Sequence, residues 1–216
     1  MGSGHAGPLS GPPPGAPLIA IDGPAGAGKS TVSRAVAEAL GLDRLDTGAM
    51  YRAVAWEALA RGIAPDDARA VAELAAGATI EVGQAVVING QDVTSQIRTP
   101  EVSRAVSVVA ANPAVRRALV KRQRAWAARR RGGVVEGRDI GSVVFPGATV
   151  KVFLTASPEE RARRRGGDEP ADGVARRDRL DSTRSASPLT KAPDAHVLDT
   201  TGRSVEDVVK EVLSWL

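Results

Sequence analysis

Residues 23–30 read Gly-Pro-Ala-Gly-Ala-Gly-Lys-Ser, directly after the apolar run Leu18-Ile19-Ala20-Ile21. The spacing G-x-x-x-x-G-K-S is that of a phosphate-binding loop, and it demands a strand before it and a helix after it. The glycines let successive backbone N–H groups turn inward around phosphate oxygens. Lys29 can reach the β- and γ-phosphates of a nucleoside triphosphate, and the Ser30 hydroxyl can sit on Mg²⁺. A helix over 29–40 aims its positive end at the same anion. Gly23, Pro24, Ala25, Gly26, Ala27, Gly28, Lys29, Ser30 and Thr31 are thus the candidate triphosphate-binding residues, with Ser30 the candidate metal ligand.

The chain has 216 residues, 43% of them hydrophobic, which suits one domain with insertions. Aromatic residues make up only 3%, so Val, Ala and Leu must fill the core. The absence of cysteine excludes disulfides, thiolate metal sites and cysteine nucleophiles. The sequence contains no apolar stretch long enough to span a bilayer and no signal-peptide pattern, so a soluble cytoplasmic protein is the expectation. Net charge is only +4, yet arginine is clustered around 116–131, 161–165 and 176–184. Such clusters suit nucleic acid or a polyphosphate substrate. The scarcity of aromatic side chains for base stacking argues against nucleic acid.

Residues 1–17, rich in glycine and proline, read as a disordered tail without a role in the fold, and 18–216 as a single domain. A short strand near 42–46 precedes a helix over about 49–61, and Pro65-Asp66-Asp67 opens another to about 76. The period then changes. Ile80 and Val82, then Val86 and Ile88, alternate at period two, and Asn89-Gly90 signals a tight turn, so 78–93 reads as a small antiparallel meander. Helices follow over about 99–110 and 113–130, then strands at 133–136 and 150–154 and a helix from Pro158 capped by Ser157. A charged helix over about 174–183, a strand at 197–198 and a helix over 205–216 complete the chain. This alternation predicts an α/β fold of three layers, a central parallel sheet with helices on both faces, interrupted by an insert that carries the meander. Ligands in such sheets bind beyond the carboxyl ends of the strands. The phosphate loop, Asp46-Thr47-Gly48 and Gly137-Arg138-Asp139 all fall at such ends.

Several segments together make the chain resemble the bacterial cytidylate kinases, a family of nucleoside monophosphate kinases. They are Ile21–Ser30, Leu45-Asp46-Thr47-Gly48-Ala49-Met50-Tyr51-Arg52, Val87–Thr94, Ile97–Ser103, Glu136-Gly137-Arg138-Asp139-Ile140-Gly141 with the residues to Pro146, and Ser185-Ala186-Ser187-Pro188-Leu189. The match runs from about residue 18 to the C-terminus. It implies a core of about 18–45, 133–160 and 190–216, a monophosphate-binding region of about 46–131, and a lid of about 161–186. The lid is short for the family, with only Gly166 to Ala175 between its first arginine group and its Arg-Asp motif.

The resemblance implies transfer of the ATP γ-phosphoryl group to CMP or dCMP, with Mg²⁺, by a cytoplasmic monomer whose partners are small nucleotides and neither nucleic acid nor membrane. The attacking oxygen is already an anionic phosphate, so the chemistry needs positioning and positive charge and no general base. A site of this kind is rich in arginine and poor in histidine, and this chain has two histidines, both outside the expected crevice. By resemblance, Arg52 and Arg138 clamp the acceptor phosphate, and Thr47 and Tyr51 lie near it. Arg177 and Arg184 act on the transferring phosphates, Asp181 on the acceptor sugar, and Arg161 and Arg164 on adenine. Lys29, Arg138, Arg177 and Arg184 are the implied catalytic cations.

Base reading falls by the same resemblance to Asp139, accepting from the cytosine amino group, with Arg116 and Ser107 on the acceptor side. A carboxylate facing uracil O4 is left unpaired, at a cost of roughly 1–3 kcal/mol. Structural roles stand beside these: a helix cap for Asp139, a helix-face residue for Ser107, a strand-end ion pair for Arg138, a solvated helix with Arg–Asp pairs for 177–184. Asp22 and Glu136 are candidates to act on the metal through water. A kinase for another small acceptor is the nearest rival. A GTP switch is disfavoured, since the chain has no Asn-Lys-x-Asp segment.

Overall fold

Successive side chains of a strand point to opposite faces, and β1 (Leu18–Asp22) has Ile19, Ala20 and Ile21 all fully buried, so it needs cover on both sides. The computed structural model describes residues 15–164 and 189–216 and supplies that cover. β1 is the middle of a five-stranded parallel sheet with β2 (Arg44–Asp46), β6 (Gly133–Gly137), β7 (Val150–Thr155) and β8 (His196–Asp199), in the order β2-β6-β1-β7-β8. Ile19, Ile21, Val134, Val152 and Leu154 face one way, toward Val32 and Val36 of α1 (Lys29–Leu40) and Val208 and Val212 of α7 (Val205–Leu213). Ala20, Leu45 and Val135 face the other way, into a larger core built by α2 (Thr47–Ala60), α4 (Pro100–Ala111) and α5 (Pro113–Arg130).

The insert lies between β2 and β6. After α3 (Ala68–Gly77), strands β3 (Ile80–Val82), β4 (Val86–Ile88) and β5 (Gln91–Asp92) form an antiparallel meander. Asn89 and Gly90 both have positive φ (50° and 82°), the pair that a twisted two-residue hairpin turn requires. The meander lays Val86 and Ile88 on Ala49 and Ala53 of α2. Helix starts follow local chemistry. Asn112 accepts from the Ala114 and Val115 N–H groups with Pro113 in the first turn of α5, and the Ser157 hydroxyl accepts from Glu160 N at the start of α6 (Pro158–Arg164).

Within the described residues the expected elements form within a few residues of their predicted ends, and two short helical turns, Gln96–Arg98 and Ile140–Val144, carry no signal that periodicity detects. Ala16 and Pro17, grouped by composition with the tail, pack on the sheet. The Pro17 carbonyl accepts from Gly133 N at 3.0 Å, and a Cβ on Gly132 would meet Ala16 O at 2.5 Å. The expected charged helix at about 174–183 lies outside the described residues. Among the described residues no helix is long and apolar enough to cross a membrane.

Two truncations separate core from edge. Ile19→Ala empties a fully buried site between β6 and β7 and is expected to cost about 2–5 kcal/mol by urea unfolding. Val197→Ala on the outer strand, 53% exposed, is expected to change stability by less than about 0.5 kcal/mol.

Candidate active site

The loop between β1 and α1 is shaped by close approach. Gly23 has φ 148°, and a Cβ there would sit 2.2 Å from Leu154 O; at Gly26 (φ 79°) it would sit 2.8 Å from Arg161 O. Only glycine lets the loop lie against β7 and α6 in this way. Three cations reach its carbonyls. Lys29 Nζ donates to Pro24 O at 2.7 Å, Arg138 to Gly23 O at 2.7 Å, and Arg161 to Ala25 O at 3.2 Å. Arg164 grips Thr200 by its hydroxyl and carbonyl, both at 2.8 Å, and the Thr200 hydroxyl also lies 3.2 Å from Ala27 O. Through Thr200, α6 and the segment after β8 brace the phosphate loop.

A cleft of about 710 Å³ opens over the carboxyl ends of the strands. Its floor along the phosphate loop includes Ala25, Gly26, Gly28, Lys29, Ser30 and Thr31, and Arg164 and Arg203 border it. Away from the loop it is lined by Thr47, Tyr51, Arg52, Ser107, Arg116, Arg138 and Asp139. Gly23, Pro24 and Ala27 shape the loop from behind. Arg161 approaches by backbone and by its bond to Ala25. The sequence-predicted residues thus meet in one place, except Arg177, Asp181 and Arg184, which lie outside the described residues.

Two carboxylates on neighbouring strands face opposite layers. Glu136, paired in register with Ile21, points toward α1 and accepts from Ser30 Oγ (2.9 Å), Ser33 Oγ (3.1 Å) and Arg44 (2.5 Å). Burial raises its pKa, the nearby Asp46 charge raises it further, and Lys29 and Arg44 oppose the rise. Asp22 is one residue past Ile21 and therefore points to the other layer. Its two oxygens accept from Ile140 N (2.8 Å) and Gly141 N (2.7 Å). Burial pushes its pKa up to about 6 against the pull of those two bonds, so it remains an anion at neutral pH.

The half of the cleft away from the phosphate loop is preset by polar contacts. Thr47 donates to the Glu136 carbonyl at 2.7 Å, and Asp46 caps α2 by accepting from Ala49 N at 3.0 Å. Arg52 donates to Ile97 O (3.1 Å) and Ser103 Oγ (3.0 Å), so the short turn at Gln96–Arg98 and the start of α4 aim it. Arg116 and Asp139 form a hydrogen-bonded ion pair, each 5% exposed, and the Arg116 guanidinium lies over the Tyr51 ring, 5.7 Å from its centroid. The Asp139 side chain does not cap the helical turn it precedes. Sequence reasoning missed Ser103 and the Ile97 carbonyl as supports of Arg52, and Thr200 as a brace. Their contacts span 36 to 173 residues of sequence, beyond any local signal.

A phosphate loop between the central strand and the first helix of a parallel sheet defines a nucleotide-binding α/β protein of the phosphate-loop class. A sequence model of cytidylate kinase matches residues 19–216. The cytidylate kinase of Pelotomaculum thermopropionicum is 50% identical over 216 residues, covering 92% of this chain and 95% of that protein. The bifunctional pantoate ligase/cytidylate kinase of Synechocystis sp. is 52% identical over 217 residues, and the aligned part is 91% of this chain and 42% of that longer protein. The chain therefore spans less than half the length of that relative. The crystal structure of TT1252 from Thermus thermophilus superposes with a TM-score of 0.50 at 23% identity, covering 93% of this chain and 98% of the other, a likeness of fold. The chain belongs to the cytidylate kinase family.

The buried ion pair gives a stability test. Arg116→Met takes the guanidinium from a buried carboxylate and is expected to cost on the order of 3 kcal/mol by urea unfolding, and Arg116→Met with Asp139→Leu is expected to recover most of that loss.

Proposed function

We propose that the protein is a (d)CMP kinase of pyrimidine nucleotide metabolism, moving the ATP γ-phosphoryl group to CMP or dCMP and releasing ADP and CDP or dCDP. The observation that carries this reading is the Arg116–Asp139 pair, buried in the same cleft as the phosphate loop. Side by side, a carboxylate and a guanidinium present an acceptor next to donors. Cytosine offers the complementary edge, an N4 amino donor next to the N3 and O2 acceptors. Uracil reverses that edge and would leave the carboxylate facing O4. Ser107, 6% exposed on α4 and lining the same side, supports the acceptor atoms of the base.

Phosphoryl transfer between two polyanions is limited by charge repulsion and alignment. In this reading the loop N–H groups and Lys29 hold the donor phosphates. Arg52 and Arg138 fork the acceptor phosphate, for which planar guanidinium geometry is suited. Arg138, already bonded to the loop at Gly23 O, stands where the two anions meet. Thr47 and Tyr51 line the acceptor side, and Arg161 and Arg164 border adenine. Arg177, Arg184 and Asp181 are assigned by family resemblance alone, to the transferring phosphates and the acceptor sugar. The donors around Ser30 are all hard oxygen, the Ser30 hydroxyl and the Glu136 carboxylate, which suits Mg²⁺. Ser30 would hold the ion, with Glu136 behind it and Asp22 committed elsewhere. When bound, Mg²⁺ supplies neutralisation of phosphate charge.

The same reading divides the chain into a core (18–45, 133–160, 190–216), a monophosphate-binding region (46–131) and a lid (161–186), following a tail. It makes the protein a cytoplasmic monomer with small nucleotides as partners and no nucleic acid.

A coupled ADP-release assay across CMP, dCMP, UMP, AMP and GMP tests the reading. CMP and dCMP are expected to give the highest kcat/KM, and a tenfold lead for any other acceptor would overturn it. Lys29→Ala is expected to lower kcat by about 10²-fold or more with an unchanged urea midpoint, because the ammonium bonds a loop carbonyl and not the core, and in this reading its charge serves the donor phosphates. Asp139→Asn is expected to narrow the CMP/UMP ratio of kcat/KM by about tenfold, and an unchanged ratio would remove Asp139 from base reading.

A further inference from the structure

The Ile140–Val144 turn follows directly on Arg138 and Asp139, and its first N–H groups have no partner within the turn. A residue such as Asp139, placed just before a helical turn, ordinarily satisfies such groups with its own side chain. Here it does not. The acceptor comes instead from Asp22, 118 residues earlier in sequence, at the carboxyl end of the central strand. Asp22 binds Ile140 N with one oxygen and Gly141 N with the other, at 2.8 and 2.7 Å, and is only 4% exposed. Strand register puts it there. Asp22 sits opposite Gly137 in β6, so the loop leaving β6 passes over its carboxylate. Gly141 lies close on the sheet: a Cβ there would meet the Lys151 stem at 3.2 Å.

We propose that Asp22 is a specificity-determining positioning residue: by capping the Ile140–Val144 turn from the neighbouring strand, it spares the Asp139 carboxylate that task and holds it beside Arg116 for reading the base. Asp22 does not line the cleft. It acts through the turn on Asp139, and it abuts Gly23, so the base-reading loop and the phosphate loop are fastened to one residue. When Asp22 loses an oxygen acceptor, the two N–H groups draw Asp139 back to the ordinary cap, and the acceptor–donor pair facing the base is lost.

This inference rests on the (d)CMP kinase reading, and the test separates the two. Asp22→Asn keeps the shape but turns one acceptor into a donor that opposes an N–H group. The measurements are kcat/KM for CMP and for UMP and KM for ATP, in the parent, Asp22→Asn, Asp139→Asn and the double variant. Asp22→Asn is expected to lower the CMP/UMP ratio by roughly tenfold, chiefly through KM for CMP, with KM for ATP within about twofold of the parent. In the Asp139→Asn background, the same substitution is expected to leave the ratio unchanged, because its route to the base is already cut. A loss of turnover equal for both acceptors, or a ratio effect that simply adds in the double variant, would overturn the positioning role. A parent enzyme without cytosine preference would instead overturn the proposed function. Should Asp22→Asn not fold, amide exchange in the unaltered protein decides: Ile140 and Gly141 are expected to exchange slowly, and exchange at open-loop rates would overturn the cap.

Discussion

The period of two in a β-strand sends neighbouring side chains to opposite faces, and the site rests on that fact at the ends of β1 and β6. Ile21 and Glu136 share one face and Asp22 takes the other. Two acids that would repel one another on a common face are thereby separated by the sheet and given different tasks. Glu136 goes to the layer of α1, where Ser30, Ser33 and Arg44 meet it. Asp22 goes to the layer of the insert, where backbone N–H groups meet it. The two halves of the cleft are in this sense two faces of one pair of strands.

Positive charge is arranged with similar economy. Lys29, Arg138 and Arg161 bond to loop carbonyls, and Arg52 to the Ile97 carbonyl and Ser103. Side chains held in this way have given up much of their rotamer freedom before any anion arrives. The same holds for Arg116, fixed between Asp139 and the Tyr51 ring. An arginine-rich site needs such anchoring, because unanchored guanidinium groups at short range would spread toward solvent. The carbonyls and carboxylates around the cleft are what permit the cations to gather.

The layering and the phosphate loop were legible in the sequence because their signals are local. The phosphate loop has fixed spacing, Asn89-Gly90 announces a hairpin, and Pro113 marks the start of a helix. Several boundaries fell on the expected residue, as at α1 and α5. The opposite half of the cleft was legible only in part. Its arginines and Asp139 came from resemblance, and the contacts that aim them lie far apart along the chain. The Ile140–Val144 turn is too short for a period to show, and Asp22 acts on it across two strands, so neither the turn nor its cap had a local signature. The backbone at Ala16 and Pro17 was assigned to the tail because composition cannot register a single carbonyl bond to Gly133.

One aromatic ring has a practical consequence. Tyr51 is the single tyrosine in the chain, and it lines the cleft beneath a guanidinium. The tryptophans lie elsewhere: Trp126 under Arg130 and against Gly133, Trp215 stacked on His196, Trp56 beside the meander. Phenol resonances in an NMR spectrum of this protein therefore need no assignment by mutagenesis. The molecule carries one built-in gauge in the cleft, and its line positions report on the guanidinium that lies over the ring.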